Sequence, residues 1–261
     1  MSVEHPNLQQ QPARDDFSAK WRSIYLPDEG GLWASADYSQ QEPRLVAHFA
    51  SIAGCAKADR AVARYRSDPN TDNHQMMADL TGLPRKQAKN IFLGLCYGMG
   101  GARLAESLGL PVANAIIKGK QVEQAGEEAQ EILDRFDEMA PFVRQLYNKA
   151  RDVGYSRGYI RTLLGRRCRF PVNPFGRGHD FSQNAMNRLI QGSAADQTKL
   201  AMVNAAKAGF KLQLQVHDEL DLTVASKDEA LKLAHIMETA VELKVPCRVD
   251  VEVGASWGEA E

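Results

Sequence analysis

This 261-residue chain predicts an α+β fold. Three observations carry that expectation. A short apolar run near the start ends in a carboxylate, a long stretch in the middle has helical pattern and helix stops, and a run near the end alternates apolar and polar residues as a hairpin does. The order is strand, long helical insert, then a mixed block, with no repeat at a fixed period.

Taken in order, residues 1–30 are polar, contain Pro6, Pro12 and Pro27, and read as an extended lead-in with little regular structure. Gly31 to Asp37 reads as a buried strand. A helix over about 40–53 follows, with Ser39 as N-cap, Glu42 three residues later at capping-box spacing, and Pro43 in the first turn, where a proline does least harm. Helices are expected at 56–66, 72–81, 84–97, 101–108, 111–127 and 128–153, stopped at Pro69-Asn70, Gly82-Leu83-Pro84, Gly98 to Gly101 and Pro111. Residues 154–178 are rich in Gly and Arg and predict strands joined by a tight turn at 162–166. A helix covers 180–208. Leu212, Leu214 and Val216, then Leu220, Leu222 and Val224, alternate with polar residues, so 211–224 is a hairpin with His217-Asp218-Glu219 at its tip. A helix at 227–243 and a strand near 247–253 finish the chain.

Composition excludes several classes. With 44% apolar and 25% charged residues the chain is neither disordered nor fibrous. Its 32 Lys+Arg against 33 Asp+Glu exclude a globally basic wrapper of nucleic acid, so a polyanion site must be a local cluster. Cys55, Cys96, Cys168 and Cys247 lie far apart with no Cys-x-x-Cys pair, which argues against structural zinc or a disulfide framework and fits a reducing, cytoplasmic compartment. The N-terminus has no apolar signal core, and no run approaches the ~18 apolar residues of a membrane span.

Several constellations could carry chemistry. Asp37 ends a strand and Asp218 sits at a hairpin tip beside Glu219; if both strands share a sheet, the carboxylates could converge on divalent metal, though Asp is also common in turns for its local hydrogen bonds. Arg85 and Lys89 are four apart and share a helix face with Leu93 and Tyr97. Like charges at that spacing cost about 0.2–0.5 kcal/mol, which a bound polyphosphate would offset; a solvated basic face is the plainer reading. Arg157, Arg161, Arg166, Arg167, Arg169 and Arg177 make a basic patch with no acid between 157 and 169, suited to phosphate. Asn187 and Gln191 are also four apart, and their amides can reach minor-groove acceptors without reading sequence.

Together these residues resemble family A DNA polymerases, the DNA polymerase I group. The text Asp37-Tyr-Ser-Gln-Gln-Glu-Pro-Arg44 is similar to that family's Asp-Tyr-Ser-Gln-Ile-Glu-Leu-Arg. Arg85, Lys89, Leu93, Gly94, Tyr97 and Gly98 follow its Arg-x₃-Lys-x₃-(Phe or Tyr)-Gly-x₂-Tyr-Gly, and Val216-His-Asp-Glu219 matches without change. Pro6-Asn-Leu-Gln9, 162–167 and 191–196 are also alike, in order and over nearly the whole chain. The resemblance implies an antiparallel palm sheet with a large helical fingers insertion, thumb and exonuclease absent: residues 1–50 and 179–261 as palm, 51–178 as fingers with the Arg-rich connection. It implies template-directed addition of deoxynucleotides to a primer 3′-hydroxyl with two Mg²⁺ ions. Asp37, Asp218 and the Tyr38 carbonyl would hold metal, with Glu219 close by as a lesser partner. Tyr38, Gln40, Glu42, His74, Arg85, Lys89, Leu93 and Tyr97 would bind the incoming nucleotide, Glu42 screening the sugar and Lys89 also protonating the leaving pyrophosphate. Arg14, Arg166, Arg167, Gln183, Asn187, Gln191 and His217 would contact primer or template DNA.

Departures from the pattern matter. Leu93 stands where the family has Phe or Tyr and offers no ring face, Gln41 replaces an apolar residue, Pro43 replaces Leu, and Gln183 falls at a frequent Arg. The missing upstream parts lead to the expectation of a split, phage-encoded enzyme whose thumb and 3′–5′ exonuclease lie on a second polypeptide. A single-subunit RNA polymerase and a noncatalytic DNA-binding relic are the alternatives. Glu42 and the His-Asp-Glu tip argue against the first, and retention of Asp37, Lys89 and Asp218 against the second.

Overall fold

The computed structural model describes residues 16–117 and 120–260. They divide into two units, one formed by residues up to 41 together with 194–261, the other by 42–193.

The first unit is built on a four-stranded antiparallel sheet of order β6-β7-β1-β8, with β1 Leu32–Tyr38, β6 Leu212–Val216, β7 Glu219–Val224 and β8 Val249–Gly254. The period-2 alternation of strands sorts its two faces. Ala34, Ala36 and Tyr38 of β1, with Leu220, Leu222 and Val224 of β7, pack into one buried cluster beneath the helix α10 (Lys227–Glu238), which adds Ala230, Leu233 and Met237. On the opposite face Trp33, Ser35 and Asp37 pair in register with Thr223, Asp221 and Glu219. Trp33 and Val216 there pack with Trp257 of a short 3₁₀ turn. A lead-in without regular structure is not what forms at 16–22: Asp16–Arg22 is a helix, α1, and it delivers Arg22 onto the Trp257 ring at 4.3 Å. That burial, invisible in the polar composition, is what orders it.

The second unit is mainly helical: α2 (Gln41–Ile52, beginning at the boundary), α3 (Ala58–Ser67), α4 (Asn73–Thr81), α5 (Arg85–Cys96), α6 (Gly101–Leu108), α7 (Glu127–Met139) and α8 (Pro141–Arg157). Two short strands, β4 (Tyr159–Arg161) and β5 (Arg167–Arg169), form the expected hairpin. The long helix α9 (Ala185–Lys207) crosses the second boundary.

Three local expectations fail for physical reasons. Residues 111–127 form a hairpin, β2 (Val112–Ile117) with β3 (Lys120–Ala125), because the β-branched Val112, Ile116, Ile117 and Val122 favour extended backbone over helix. The stretch 128–153 is two helices, since Ala140 precedes Pro141 and takes an extended φ of −131° that ends α7. The capping box at Ser39 does not form: Gln40 has a left-handed φ of 51° and α2 begins only at Gln41. The helix α10 also stops at Glu238, short of 243.

Candidate active site

The carboxylate part lies wholly in the first unit. Asp37 is exposed at the end of β1, and its antiparallel partner across β7 is Glu219, so the two side chains leave the sheet on one face. Asp218 immediately precedes Glu219 in the two-residue turn that joins β6 to β7. His217, the other turn residue, carries a left-handed φ of 54° and is exposed. On the far side of β1 the partner of Asp37 is Asp250. Tyr38 points the other way: its hydroxyl donates to the Met237 carbonyl at 2.6 Å, and burial, then Cys247, pushes its pKa far above the ordinary phenol range. What Tyr38 can offer outside the core is therefore its backbone carbonyl. Next to it, Gln41 is buried at a place where an apolar residue was the pattern, and its amide finds acceptors on Ala194, Gln197 and Thr198 at 3.3–3.4 Å.

The donor set Asp37, Asp218 and the Tyr38 carbonyl is all oxygen, which fits a hard divalent cation and not zinc. Among the described residues no group of three or more His, Cys, Asp or Glu is placed to hold a metal ion. Mg²⁺ needs no such group, since it keeps water and takes substrate phosphate oxygens alongside one or two carboxylates.

The cationic part lies wholly in the second unit. The helix α5 buries Ala88, Ile91, Phe92 and Leu95, an i, i+3, i+4, i+7 stripe, and so turns Arg85 and Lys89 outward. Leu93 is half-buried on the same face as the cations. Asp72, the N-cap of α4, accepts from the N–H groups of His74 and Gln75 at 2.9 and 3.1 Å, and from Arg85 Nε at 2.6 Å. Burial works against the ionised Asp72, but the Arg85 hydrogen bond and the helix N–H groups outweigh it and hold its pKa below the ordinary value. His74 is 3% exposed and packs edge-on to Phe92. Burial and then the charge of Lys89 lower its pKa to about 4, so it is a neutral imidazole at pH 7. Its Nε2 is buried with no hydrogen-bond partner among the described residues, leaving a donor or acceptor in reserve.

Glu42 and Tyr97 come together in this unit. Tyr97 has no aligned hydrogen-bond partner for its buried hydroxyl, and burial first, Glu42's carboxylate second, raises its pKa. Gly98 follows in left-handed backbone at φ 86°, where a Cβ would run into the Tyr147 ring.

The residues expected on DNA are spread along 157–191. Arg157, Arg161 and Arg167 gather over the Tyr159 ring at 5.0–6.0 Å. Arg166 donates to the Gly192 carbonyl at 2.9 Å. Gln183 and Gln191 are exposed and Asn187 is half-buried. Arg14 and Gln40 differ in standing: Arg14 lies outside the described residues, and Gln40 is the half-buried, left-handed residue that opens α2. Sequence reasoning missed Asp72 as the clamp on Arg85, although an Asp just before a helix is a legible N-cap signal.

Residues 1–259 match the profile of DNA polymerase family A. The chain is 49% identical to a DNA-directed DNA polymerase of Pseudomonas phage M6, covering 100% of this chain and 43% of that protein. It is 35% identical to DNA polymerase DpoZ of Acinetobacter phage SH-Ab 15497, covering 96% and 42%. Among solved structures, the POL domain of Pol1 from M. smegmatis, in complex with DNA primer-template and dNTP, superposes with a TM-score of 0.80 at 30% identity, covering 99% of this chain and 46% of that one. The chain thus spans less than half the length of these relatives. On this profile match, and on the identity it shares with these polymerases, the chain belongs to DNA polymerase family A.

Proposed function

We propose that this chain is the palm and fingers part of a template-directed DNA polymerase, adding deoxynucleotides to a primer 3′-hydroxyl. Residues 1–50 and 179–261 serve as palm and 51–178 as fingers. The observation that supports the reading is the pairing of Asp37 with Glu219 across β1 and β7, with Asp218 next to Glu219 in the turn that opens β7. Asp37, Asp218 and the Tyr38 carbonyl would hold two Mg²⁺ ions, which would supply charge stabilisation to the phosphoryl transfer.

The protein's own groups do the rest. Lys89 and Arg85 bind the triphosphate, Lys89 from an exposed position and Arg85 by exchanging its Asp72 partner for phosphate oxygens. Lys89 then gives a proton to the leaving pyrophosphate, and neutral His74 contributes a hydrogen bond from Nε2 without adding charge. Glu42 and Tyr97, neighbours in the helical unit, form the wall against a ribose 2′-hydroxyl. Gln40, Leu93 and Tyr38 complete the nucleotide contacts. Arg14, Arg166, Arg167, Gln183, Asn187, Gln191 and His217 hold primer and template, mostly through phosphate. A second polypeptide carries the thumb and exonuclease, and the enzyme works in the cytoplasm of an infected cell; among the described residues no helix is long and apolar enough to cross a membrane.

Primer extension tests the reading: purified chain with Mg²⁺, deoxy- or ribonucleotides, with and without the product of the neighbouring gene. Extension with deoxynucleotides, made processive by the partner and abolished by Asp218→Ala, is expected. An Asp218→Ala variant that extends as well as the parent would leave only a DNA-binding role, ribonucleotide preference would move the reading to RNA synthesis, and processive extension by the chain alone would remove the partner.

A further inference from the structure

A cavity in the helical unit has no part in the functional reading. It holds about 270 Å³ and is walled by α3, α4, α5 and the junction of α7 with α8. None of Glu42, His74, Arg85, Lys89 or Tyr97 lines it. The lining divides by chemistry. Lys57, Arg60 and Arg64 are exposed and bring positive charge to it, while Tyr65, Phe92 and Phe142 give it aromatic walls. No Asp or Glu is among the described residues that line it.

The cations stand without counter-charge. Arg60 and Arg64 are four apart on α3, so they share a helix face and repel each other, and among the described residues neither forms an ion pair. The acids nearest them in sequence are turned elsewhere: Asp59 accepts from Ser51 Oγ at 2.6 Å, and Asp68 from the Asn70 N–H at 2.9 Å. Lys57 donates from Nζ to a backbone carbonyl, that of Glu138, at 2.6 Å. It also holds a left-handed φ of 60°, which a lysine rarely adopts and which clusters at ligand sites when it persists. Imperfect packing accounts for a void with rings around it, but not for three cations gathered at that void.

This combination fits an aromatic ring that carries a phosphate. The volume lies just under the ~300–1,000 Å³ of pockets for drug-sized ligands, so the cavity admits one ring system and not two. Guanidinium groups pair with phosphate in bidentate fashion, and every base offers a ring face to an aromatic wall. Met76 and Met139 also line the cavity, and their flexible thioethers adapt to a purine or a pyrimidine. We propose that the cavity is a second nucleotide site, with the base between Tyr65, Phe92 and Phe142 and the phosphate on Arg60 and Arg64, assisted by Lys57. A free nucleoside monophosphate and one unpaired nucleotide of a DNA strand present the same chemistry. The site is separate from the one assigned to Arg85 and Lys89, and its tests use no primer extension, so it and the polymerase reading can fail independently.

Calorimetry on the intact chain without divalent metal tests this, with dAMP, a short single strand of deoxyadenosine, and inorganic phosphate as probes. Changing Arg60→Gln and Arg64→Gln together should weaken binding of dAMP or of the strand by at least about tenfold, the size of losing charged hydrogen bonds. Phe142→Ala should weaken it by about 5–100-fold, the range for a ring that stacks on a base, and leave phosphate binding as it was. Lys89→Ala should change neither. Binding of dAMP with this dependence assigns the site to a free nucleotide, and binding of the strand alone with this dependence assigns it to an unpaired nucleotide of DNA. The proposal is overturned if neither probe binds, if their binding ignores Arg60 and Arg64, if Lys89→Ala abolishes it, or if phosphate binds as tightly as dAMP and the strand. Arg60 and Arg64 are exposed on α3, so their loss should leave the fold intact. Should Phe142→Ala fail to fold, the arginine variant and the phosphate comparison decide.

Discussion

The candidate residues of the two units are held in different ways. In the first unit Asp37 and Glu219 are carried by adjacent strands, with Asp218 in the turn just before Glu219, and the pairing of the two strand residues is set by register: a one-residue slip would turn all of β1 inside out. Ala34, Ala36, Leu220 and Leu222, buried completely on the other face, fix that register. In the second unit Arg85 and Lys89 stand exposed on α5, and the structure around them is local: an N-cap at Asp72, a left-handed Gly82 ending α4, and one ion pair between Asp72 and Arg85. The carboxylates therefore depend on the core of their unit, while each cation depends on its own turn of helix. Damage to packing should disable the first half as a block, whereas the second half should be editable one side chain at a time.

The sharpest way to break that contrast is Leu222→Ala. Leu222 is 0% exposed and packs in the cluster beneath α10. Truncation should cost about 2–5 kcal/mol, from lost transfer and the cavity left behind. Chemical denaturation of the parent and variant measures it, and divalent-cation affinity should fall with it although Leu222 lies on the face away from the acids. A variant that is destabilised by that amount but binds Mn²⁺ unchanged would show that the acids do not depend on the sheet.

Lys89→Ala is the counterpart in the helical unit. Lys89 is exposed and Ala is the better helix former, so unfolding free energy should change by less than about 0.5 kcal/mol. Extension should fall by about 10²-fold or more, as expected for loss of a general acid. Stability lost along with activity would mean that Lys89 is part of the frame.

Leu93→Phe comes next in size. A ring at this half-buried position would offer a base a stacking face worth about 0.5–1.5 kcal/mol, so dideoxynucleotide use and insertion rate should shift by up to about tenfold. Unchanged rates and unchanged dideoxynucleotide use in both Leu93→Phe and Leu93→Tyr would show that α5 meets no base there.

How much of this could be read in the chain follows the same division. The β6–β7 hairpin was legible because apolar residues alternate within each run, although an irregularity between Leu212 and Leu214 sends Leu214 and Val216 to the Trp257 cluster while Leu212, Leu220, Leu222 and Val224 pack under α10. The hairpin at 112–125 was not, since its side chains are mostly exposed and no buried face imposes a period. The break at Ala140 was hidden because Pro at the first position of a helix is acceptable, so Pro141 reads equally as a start or a continuation. Motif spacing brought Asp37, Asp218, Arg85 and Lys89 forward, and of these Asp37, Arg85 and Lys89 stand exposed. Asp221 occupies the polar phase of its strand yet is buried, because Trp33 and Ser35 bond to it from β1, a tertiary fact absent from residues 211–224.

The smallest effect falls on Asp72, where one carboxylate does two jobs. Asp72→Ala removes an N-cap and should cost about 1 kcal/mol. Asp72→Asn keeps a capping oxygen and loses only the charge facing Arg85, whose side chain is 52% exposed, so its cost should be less than about 1 kcal/mol and shrink with salt. The sign with pH separates the two jobs. The folded pKa of Asp72 lies below its ordinary value of 3.8, so the unfolded chain takes up the proton first on acidification. The stabilisation is fully present above that ordinary value and is lost as pH falls through the folded pKa. Denaturation curves of the parent and Asp72→Asn should thus differ at pH 7 and converge in acid. Curves that stay parallel down to the acid limit would mean that the charge of Asp72 stabilises nothing, and that Arg85 is as independent of its neighbours as Lys89.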